Sequence, residues 1–381
     1  MDKPQTIPPL FNKCCDVLLD TCLTADDSYK KTVTSVVQNT AIEERIKVWL
    51  WGKHPDALWS YQKTLEGHRF GVLALAFSPD NTMLASGSSD STVKIWKLET
   101  GQCLRTFRGH VKDVNSVVFC SNDVIASASS DNTIKVRKLT GKLLHNLQGH
   151  IDSVRSLAVS SSNILASAST DSSIKIWNWK LGTCLKTLLG HASGVFAVVF
   201  LTPDRIVSGS RDNSIRMWDL ARGECDQVVS QAHKDHVLCL AVSPHGEVAS
   251  GSRDKAIKIW EINTEDNLLE CISEVEHHKD AVLSLSFDPK GSTLASASYD
   301  RTIKLSDKGV SVKTIEGHTS GVQAINYSSD GELLASGSRD KTIKIWKKRD
   351  LSQSLDTMIT VLAAAKIKNS APVPPVSNIL L

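Results

Sequence analysis

One phrase of twelve residues recurs along the chain and restricts the fold more than any other feature. It reads ASGSSDSTVKIW from Ala85, ASASTDSSIKIW from Ala166, ASGSRDKAIKIW from Ala249 and ASGSRDKTIKIW from Ala335. Each copy sets an Asp six residues before a Trp. Seven aspartates at this point of the repeat, Asp90, Asp131, Asp171, Asp212, Asp254, Asp300 and Asp340, follow one another at intervals of 41, 40, 41, 42, 46 and 40 residues, five of them six residues before a Trp. Half a period earlier stand His68, His110, His150, His191, His233, His278 and His318, each followed four positions later by a Val. A fixed period of this length marks a chain assembled from copies of one supersecondary unit.

Each unit contains four short strand signals. In the first unit, VLALAF (72–77) is the near-continuous apolar run expected of a strand covered on both faces. SPDN turns the chain into MLASGS, SDS turns it again into the alternating TVKIWKL, and ETG leads to QCLRTF. A four-stranded sheet cannot bury both of its own faces. Stacking the sheets radially covers the faces, and closing the ring removes the exposed edges. The expected fold is all-β: a seven-bladed β-propeller of four-stranded antiparallel blades.

The last unit stops at IKIWKK, one strand short, whereas ALWSYQKTLEGH (57–68) carries a fourth-strand pattern with no earlier strands of its own. Ser60–Leu65 is therefore predicted to complete the last blade. The segment ERIKVWLW (44–51) mimics a third strand, with Glu43 in the place of the Asp, so eight blades is the alternative. The domain reading is an N-terminal extension over 1–57, the propeller over 58–348 and a C-terminal tail over 349–381. The extension is partly helical, from the spacing of Leu10, Cys14, Leu18 and Cys22, and the tail partly disordered, from APVPPVSNILL.

The Gly-His pair, the turn Asp and the Trp closing the third strand resemble the marks of the WD-repeat family of β-propellers, over about three-quarters of the chain. Only Trp218-Asp219 is a literal Trp-Asp pair. The resemblance implies a buried hydrogen-bonded network in each blade: His68, Ser86, Asp90 and Trp96; His150, Ser167, Asp171 and Trp177; His191, Ser208, Asp212 and Trp218; His233, Ser250, Asp254 and Trp260; His318, Ser336, Asp340 and Trp346. A buried carboxylate is costly unless donors surround it, which independently favours such a network. Arg137 and Ser306 replace the Trp in the second and sixth units, so those blades are expected to be locally weaker. A Ser-His-Asp set also resembles a hydrolytic triad, but repetition at the blade period argues for a structural role.

Composition narrows the function. A net charge of +3 with scattered Lys and Arg lacks the basic stripe of a nucleic-acid binder. MDKPQTIPPLFNKCC has no signal-peptide core, and no apolar run approaches a membrane span. Nine cysteines without a CxxC pair suggest a reduced, cytoplasmic protein; Cys103, Cys184, Cys225 and Cys271 recur where a small buried hydrophobe would serve. The usual hydrolase, phosphate-loop and zinc motifs are not found, and the His277-His278 pair has no companion ligands. The expectation is a non-enzymatic protein with no cofactor and no metal, contacting other proteins or peptides rather than nucleic acid or membrane.

In propellers of this family, the loops before the first strand and between the second and third strands share one face. The residues just before each turn Asp, namely Ser89, Ser130, Thr170, Arg211, Arg253, Tyr299 and Arg339, should project there. Asp113, Asn115, Arg155, Phe196, His236 and Gln323, beside the first-strand Val, should join them. Arginine and aromatic residues favour binding hot spots, and arginine clusters suit carboxylates or phosphorylated side chains. Arg155, Phe196, Arg211, His236, Arg253, Tyr299 and Arg339 are the expected contacts of an acidic or phosphorylated peptide on an interaction scaffold. Lys94, Lys135, Lys175, Lys258, Lys304 and Lys344 read as ordinary solvated strand positions. An alternative comes from ALWSYQKTLEGHRFGVLALAFSPD, which resembles the start of the repeat arrays that follow nucleotide-binding oligomerisation domains; this implies a ligand-sensing module of a signalling protein. A propeller enzyme would need a convergent metal or acid–base set, and the sequence offers none.

Overall fold

The computed structural model describes residues 59–348 apart from 161, 264–266 and 308–309. The 1–57 extension, its 44–51 segment and the tail from 349 lie outside the described residues. The described chain forms twenty-eight strands in seven four-stranded sheets. Blade 1 holds β2 (Val72–Phe77), β3 (Met83–Ser88), β4 (Val93–Lys97) and β5 (Cys103–Phe107), numbered outward from the axis. Blades 2 to 6 repeat this over 114–147 (β6–β9), 154–189 (β10–β13), 195–229 (β14–β17), 237–275 (β18–β21) and 282–315 (β22–β25). In blade 7, β26 (Val322–Tyr327), β27 (Leu333–Ser338) and β28 (Ile343–Lys348) are joined by β1 (Trp59–Leu65) as the outer strand. Each innermost strand packs on that of the next blade, and β26 packs on β2, so seven blades close one ring.

The closing strand is held by side chains as well as by its ladder. Tyr61 meets Trp346 edge-on at 5.9 Å between ring centres, and Lys344 Nζ donates to Thr64 Oγ1 at 3.1 Å. Leu65, 2% exposed, packs with Ile343 and Ile345 of its own blade and with Trp96 of the next. Closure therefore joins the start of the propeller to its end without a covalent link.

Packing between blades explains why the third residue of the recurring phrase is always Gly or Ala. A Cβ placed on Gly87 would lie 2.8 Å from Val114 Cγ1, and one on Gly337 would lie 2.7 Å from Val72 Cγ1. The second strand of each blade thus faces the first-strand Val of the next blade across a gap too narrow for a large side chain. Those valines are fully buried, from Val72 to Val322. The core is accordingly distributed as apolar clusters between neighbouring blades; Trp177 of blade 3, for example, packs among Ala126, Ile134 and Val136 of blade 2.

The cysteine expectation needs correction. Cys103, Cys184, Cys225 and Cys271 sit on outermost strands, where Cys184 and Cys271 are exposed and the other two half-buried. Each pairs with the blade Trp at a bulge, as where Cys103 faces Trp96 and Arg105 faces Ile95. An outermost strand has one uncovered edge, so it cannot bury every apolar position.

Ring closure predicts that Leu65→Ala lowers stability by about 3 kcal/mol, read from the midpoint of urea unfolding followed by tryptophan fluorescence. An unchanged midpoint would mean that β1 does not seal the ring.

Candidate functional site

The polar core of each blade is built around the Asp that turns the second strand into the third. The following residue is left-handed in every blade, with φ between 63° and 77°. That conformation costs a non-glycine residue about 1 kcal/mol, and the Asp offsets it by gathering donors. In blade 1, Asp90 Oδ1 accepts from the Thr92 amide (3.0 Å) and hydroxyl (2.6 Å), while Oδ2 accepts from the Arg69 amide (2.9 Å) and from His68 Nδ1 (2.8 Å). His68 Nε2 lies 2.7 Å from Ser86 Oγ, which receives the Trp96 indole N–H at 2.8 Å.

These contacts, with the ionised Asp at one end and the indole donor at the other, set the direction of donation along the tie. Burial alone would raise the Asp90 carboxyl, but the bonds from Thr92, the Arg69 amide and His68 hold it at about 2. Asp131 and Asp300 also stand at about 2, and Asp171, Asp212, Asp254 and Asp340 are likewise depressed. Burial pushes the His68, His110, His233 and His278 rings down against the attraction of their aspartates. A neutral ring facing a carboxylate carries its proton on Nδ1, so Nε2 accepts from the serine hydroxyl. The serine oxygen, in turn, accepts from the indole. Donation runs one way, from Trp to Ser to His to Asp, and aligned bonds of this kind polarise one another. Ser86, Ser167, Ser208, Ser250 and Ser336 are all fully buried, so these triad-like sets offer a substrate no hydroxyl to approach.

The same tie is made by His150, Ser167, Asp171 and Trp177; by His191, Ser208, Asp212 and Trp218; by His233, Ser250, Asp254 and Trp260; and by His318, Ser336, Asp340 and Trp346. In blade 2, His110 reaches Ser127 and Asp131, while Arg137 Nη2 donates instead to the Arg108 carbonyl at 3.1 Å. In blade 6, His278 reaches Ser296 and Asp300, and Ser306 Oγ turns to the Leu294 carbonyl at 3.4 Å. Sequence reasoning missed the hydroxyl two residues after the Asp: Thr92, Thr133, Ser173, Ser214, Thr302 and Thr342, each donating at 2.6 Å. Its signal was the spacing Asp-x-Ser/Thr. Blade 5 has Ala256 there, and the His233–Asp254 bond lengthens to 3.1 Å.

The residue before each Asp donates its amide to the loop leading into the first strand: Ser89 to Gly71, Ser130 to Asp113, Thr170 to Ser153, Arg211 to Gly194, Arg253 to His236, Tyr299 to Ala281 and Arg339 to Gly321. Both loop types thereby form one end face. On it, Arg155 lies 5.2 Å over the Phe196 ring, which meets His236 edge-on at 6.1 Å, linking blades 3, 4 and 5. Arg339 lies 5.0 Å over the Tyr299 ring and donates to its hydroxyl, linking blades 6 and 7. Arg211, Arg253, Tyr299 and Arg339 are exposed. The face also carries carboxylates. Asp235 lies 3.8 Å from Arg253 Nε, and Asp113 and Asp152 act on Arg155. Asn115, also on this face, bridges blades 2 and 3 through Ser130, Ser153 and the Val154 carbonyl. The six lysines singled out above are half-buried rather than fully solvated; Lys94, Lys135, Lys175 and Lys344 donate to the outer strand, and Lys258 pairs with Glu274. No cluster of three or more possible metal ligands occurs among the described residues.

Residues 59–97, 101–137, 141–178, 182–219, 223–261, 269–307 and 309–347 each match the family described as WD domain, G-beta repeat. The chain belongs to the WD-repeat family. Each WD repeat is offset from the blades, because the first, 59–97, contains the outer strand of blade 7 and the three inner strands of blade 1. Such a WD-repeat propeller has the architecture of a protein–protein interaction scaffold. The chain is similar to nuclear distribution protein nudF of Aspergillus niger, 47% identical over 60 residues, 16% of this chain and 14% of that protein. The nudF proteins of Aspergillus terreus and Emericella nidulans are 46% and 48% identical over 56 and 54 residues, 15% and 14% of this chain. These matches span 13% and 12% of those two relatives, so all three matches cover a small part of the curated relatives' length. Among the described residues no helix is long and apolar enough to cross a membrane.

Two predictions follow from the polar ties. Ser208→Ala removes both the acceptor of the Trp218 indole and the donor to His191, and should cost about 3 kcal/mol. Ser127→Ala, in the blade without an indole, should cost about half as much; equal losses in urea unfolding would contradict the relay. Stability should also fall with acid in two stages. Histidines depressed in the folded state destabilise it as pH drops through their unfolded value of 6.5, and the aspartates do so as pH drops from 3.8 toward 2. A melting temperature independent of pH between 7 and about 3 would refute this assignment.

Proposed function

We propose that this WD-repeat propeller is a non-enzymatic scaffold that binds an acidic or phosphorylated peptide across the arginine-bearing end face. The observation that carries the reading is the set of amide bonds tying the residue before each turn Asp to the adjacent first-strand loop. They hold Arg211, Arg253 and Arg339 exposed on one rim around the axis. A planar guanidinium meets a carboxylate or phosphate through two parallel hydrogen bonds, so fixed, exposed arginines favour such ligands. Phe196 and Tyr299 add aromatic surface beside the charge, a combination common at hot spots.

The carboxylates on the face refine the proposal. Asp235 partly neutralises Arg253, and Asp113 and Asp152 do so for Arg155. Arg211 and the Arg339–Tyr299 pair face no such carboxylate in the described contacts, and they are the groups expected to take the anion. Arg253, Arg155, Phe196 and His236 then orient the rest of the peptide.

The test uses the full chain and an array of peptides in phosphorylated, unphosphorylated and glutamate-substituted forms. Arg211→Glu combined with Arg339→Glu should weaken binding of the selected anionic peptides at least tenfold, a change of about 1.4 kcal/mol or more. Arg253→Glu alone should have a smaller effect. Equal binding by the double variant, folded to the same melting temperature, would overturn the reading.

A further inference from the structure

The sixth blade lacks the indole that five of the blades carry, and, unlike the second blade with Arg137, it has only Ser306 in that place. Trp96, Trp177, Trp218 and Trp260 each pack in a cluster shared with the preceding blade. Trp218, for instance, lies against Ile174, Ile176 and Leu188 of blade 3. Ser306 holds that position in blade 6, opposite Leu294 as Trp96 is opposite Leu84. The junction of blades 5 and 6 contains a cavity of about 690 Å³ lined by Ser306, Leu294, Ile257, Ile259 and Val275. Ile257, Ile259 and Val275 occupy the strand positions of Ile174, Ile176 and Leu188.

Two further observations identify the cavity as the missing ring's place. Ile95, Ile176, Met217 and Ile345, at the third-strand position of Ile259, are each no more than 3% exposed, whereas Ile259 is only partly buried. The Gly before the blade His also disappears here. A Cβ on Gly190 would lie 3.2 Å from Trp218 Cη2, and one on Gly317 would lie 3.1 Å from Trp346 Cη2, so that glycine makes room for the ring edge. Blade 5 has the small Ala232 there beside a retained Trp260, whereas blade 6 carries the bulky His277 where Ser306 replaces the ring.

The geometry points to an unassigned binding site between blades 5 and 6 for a planar aromatic ligand of indole type. Ile257, Ile259, Val275, Phe287 and Leu294 supply its apolar wall beside Ser306, and Glu261 and Lys290 stand in the lining for the polar end of a ligand. A hydrogen bond between His245 Nε2 and the Lys290 carbonyl, 3.0 Å, bridges the two blades at one end. Apolar protein surface of this kind takes up aromatic molecules, and the volume falls within the roughly 300–1,000 Å³ common for small-molecule sites. The turns at this mouth join first to second strands, at the opposite end of the strands from the arginines. The site is therefore independent of the peptide face proposed above.

The test titrates indole into the full chain, following ligand-observed NMR and the melting temperature. Saturable binding with a Kd of about 1 mM or tighter is expected. Ser306→Trp combined with His277→Gly restores the pattern of the other blades; it should raise the melting temperature and weaken indole binding at least tenfold. Ser306→Phe fills the same space if the double variant does not fold, and should also suppress binding. Arg211→Glu with Arg339→Glu should leave indole binding unchanged. N-acetyl-tryptophan amide serves as a second probe: tighter binding than indole indicates a peptide side chain as the occupant, and weaker binding a free small molecule. No saturable binding to the wild-type chain, or equal binding by it and the filled variants, would overturn the site.

Discussion

The propeller depends on one demand: an ionised carboxylate at the turn of every blade must be solvated by the protein. An uncompensated buried charge costs several kcal/mol. Each Asp meets that demand with two amides, a hydroxyl in six of the seven blades, and a histidine. Because the His and its following amide lie in the loop entering the first strand, the carboxylate pins that loop to the turn between the second and third strands. One anion therefore fixes the strand order, orients the His–Ser–Trp chain and aligns the loops of the end face. The rim on which Arg211, Arg253 and Arg339 stand is a consequence of this solvation.

The second constraint acts between blades. A four-stranded sheet presents two faces, and each is covered only by its neighbours. The Val72 side chain pressed against Gly337, and Trp96 laid among Ile343 and Ile345, show the first blade completing the seventh. This coupling makes a single substitution at the Trp position a matter for two blades. Arg137 replaces the indole with a flexible side chain that finds the Arg108 carbonyl. Ser306 leaves the space unfilled. The same repeat thus supplies five filled ring positions, one substituted position and one cavity.

Much of this was legible because repetition averages over local accidents. The aspartates, histidines and valines recur at positions whose spacing directly reflects strand and turn length, and the unpaired fourth-strand pattern at 57–68 announced the closure. Less legible were features that depend on which edge a strand occupies. Cys103 and Cys184 recur like core residues, yet they sit on outer strands. Lys94 and Lys344 look like solvated strand positions, yet they reach across to Thr106 and Thr64. The carboxylates beside Arg155 and Arg253 were visible in the sequence, but their partnership with those arginines needed the loops brought together.

By itself the sequence marked the blade unit, favoured seven blades over eight and picked out the His, Ser, Asp and Trp of the polar tie, because those depend on contacts repeated once per period. Tertiary structure decided the direction of donation along the tie, the ring contacts of Arg155 and Arg339 and the opening between blades 5 and 6. Each of these depends on distances between segments from ten to about forty residues apart in the chain, or on the space left when one neighbour fails to fill another's surface. A one-dimensional pattern records which ring is missing; only packing shows whether its place has closed.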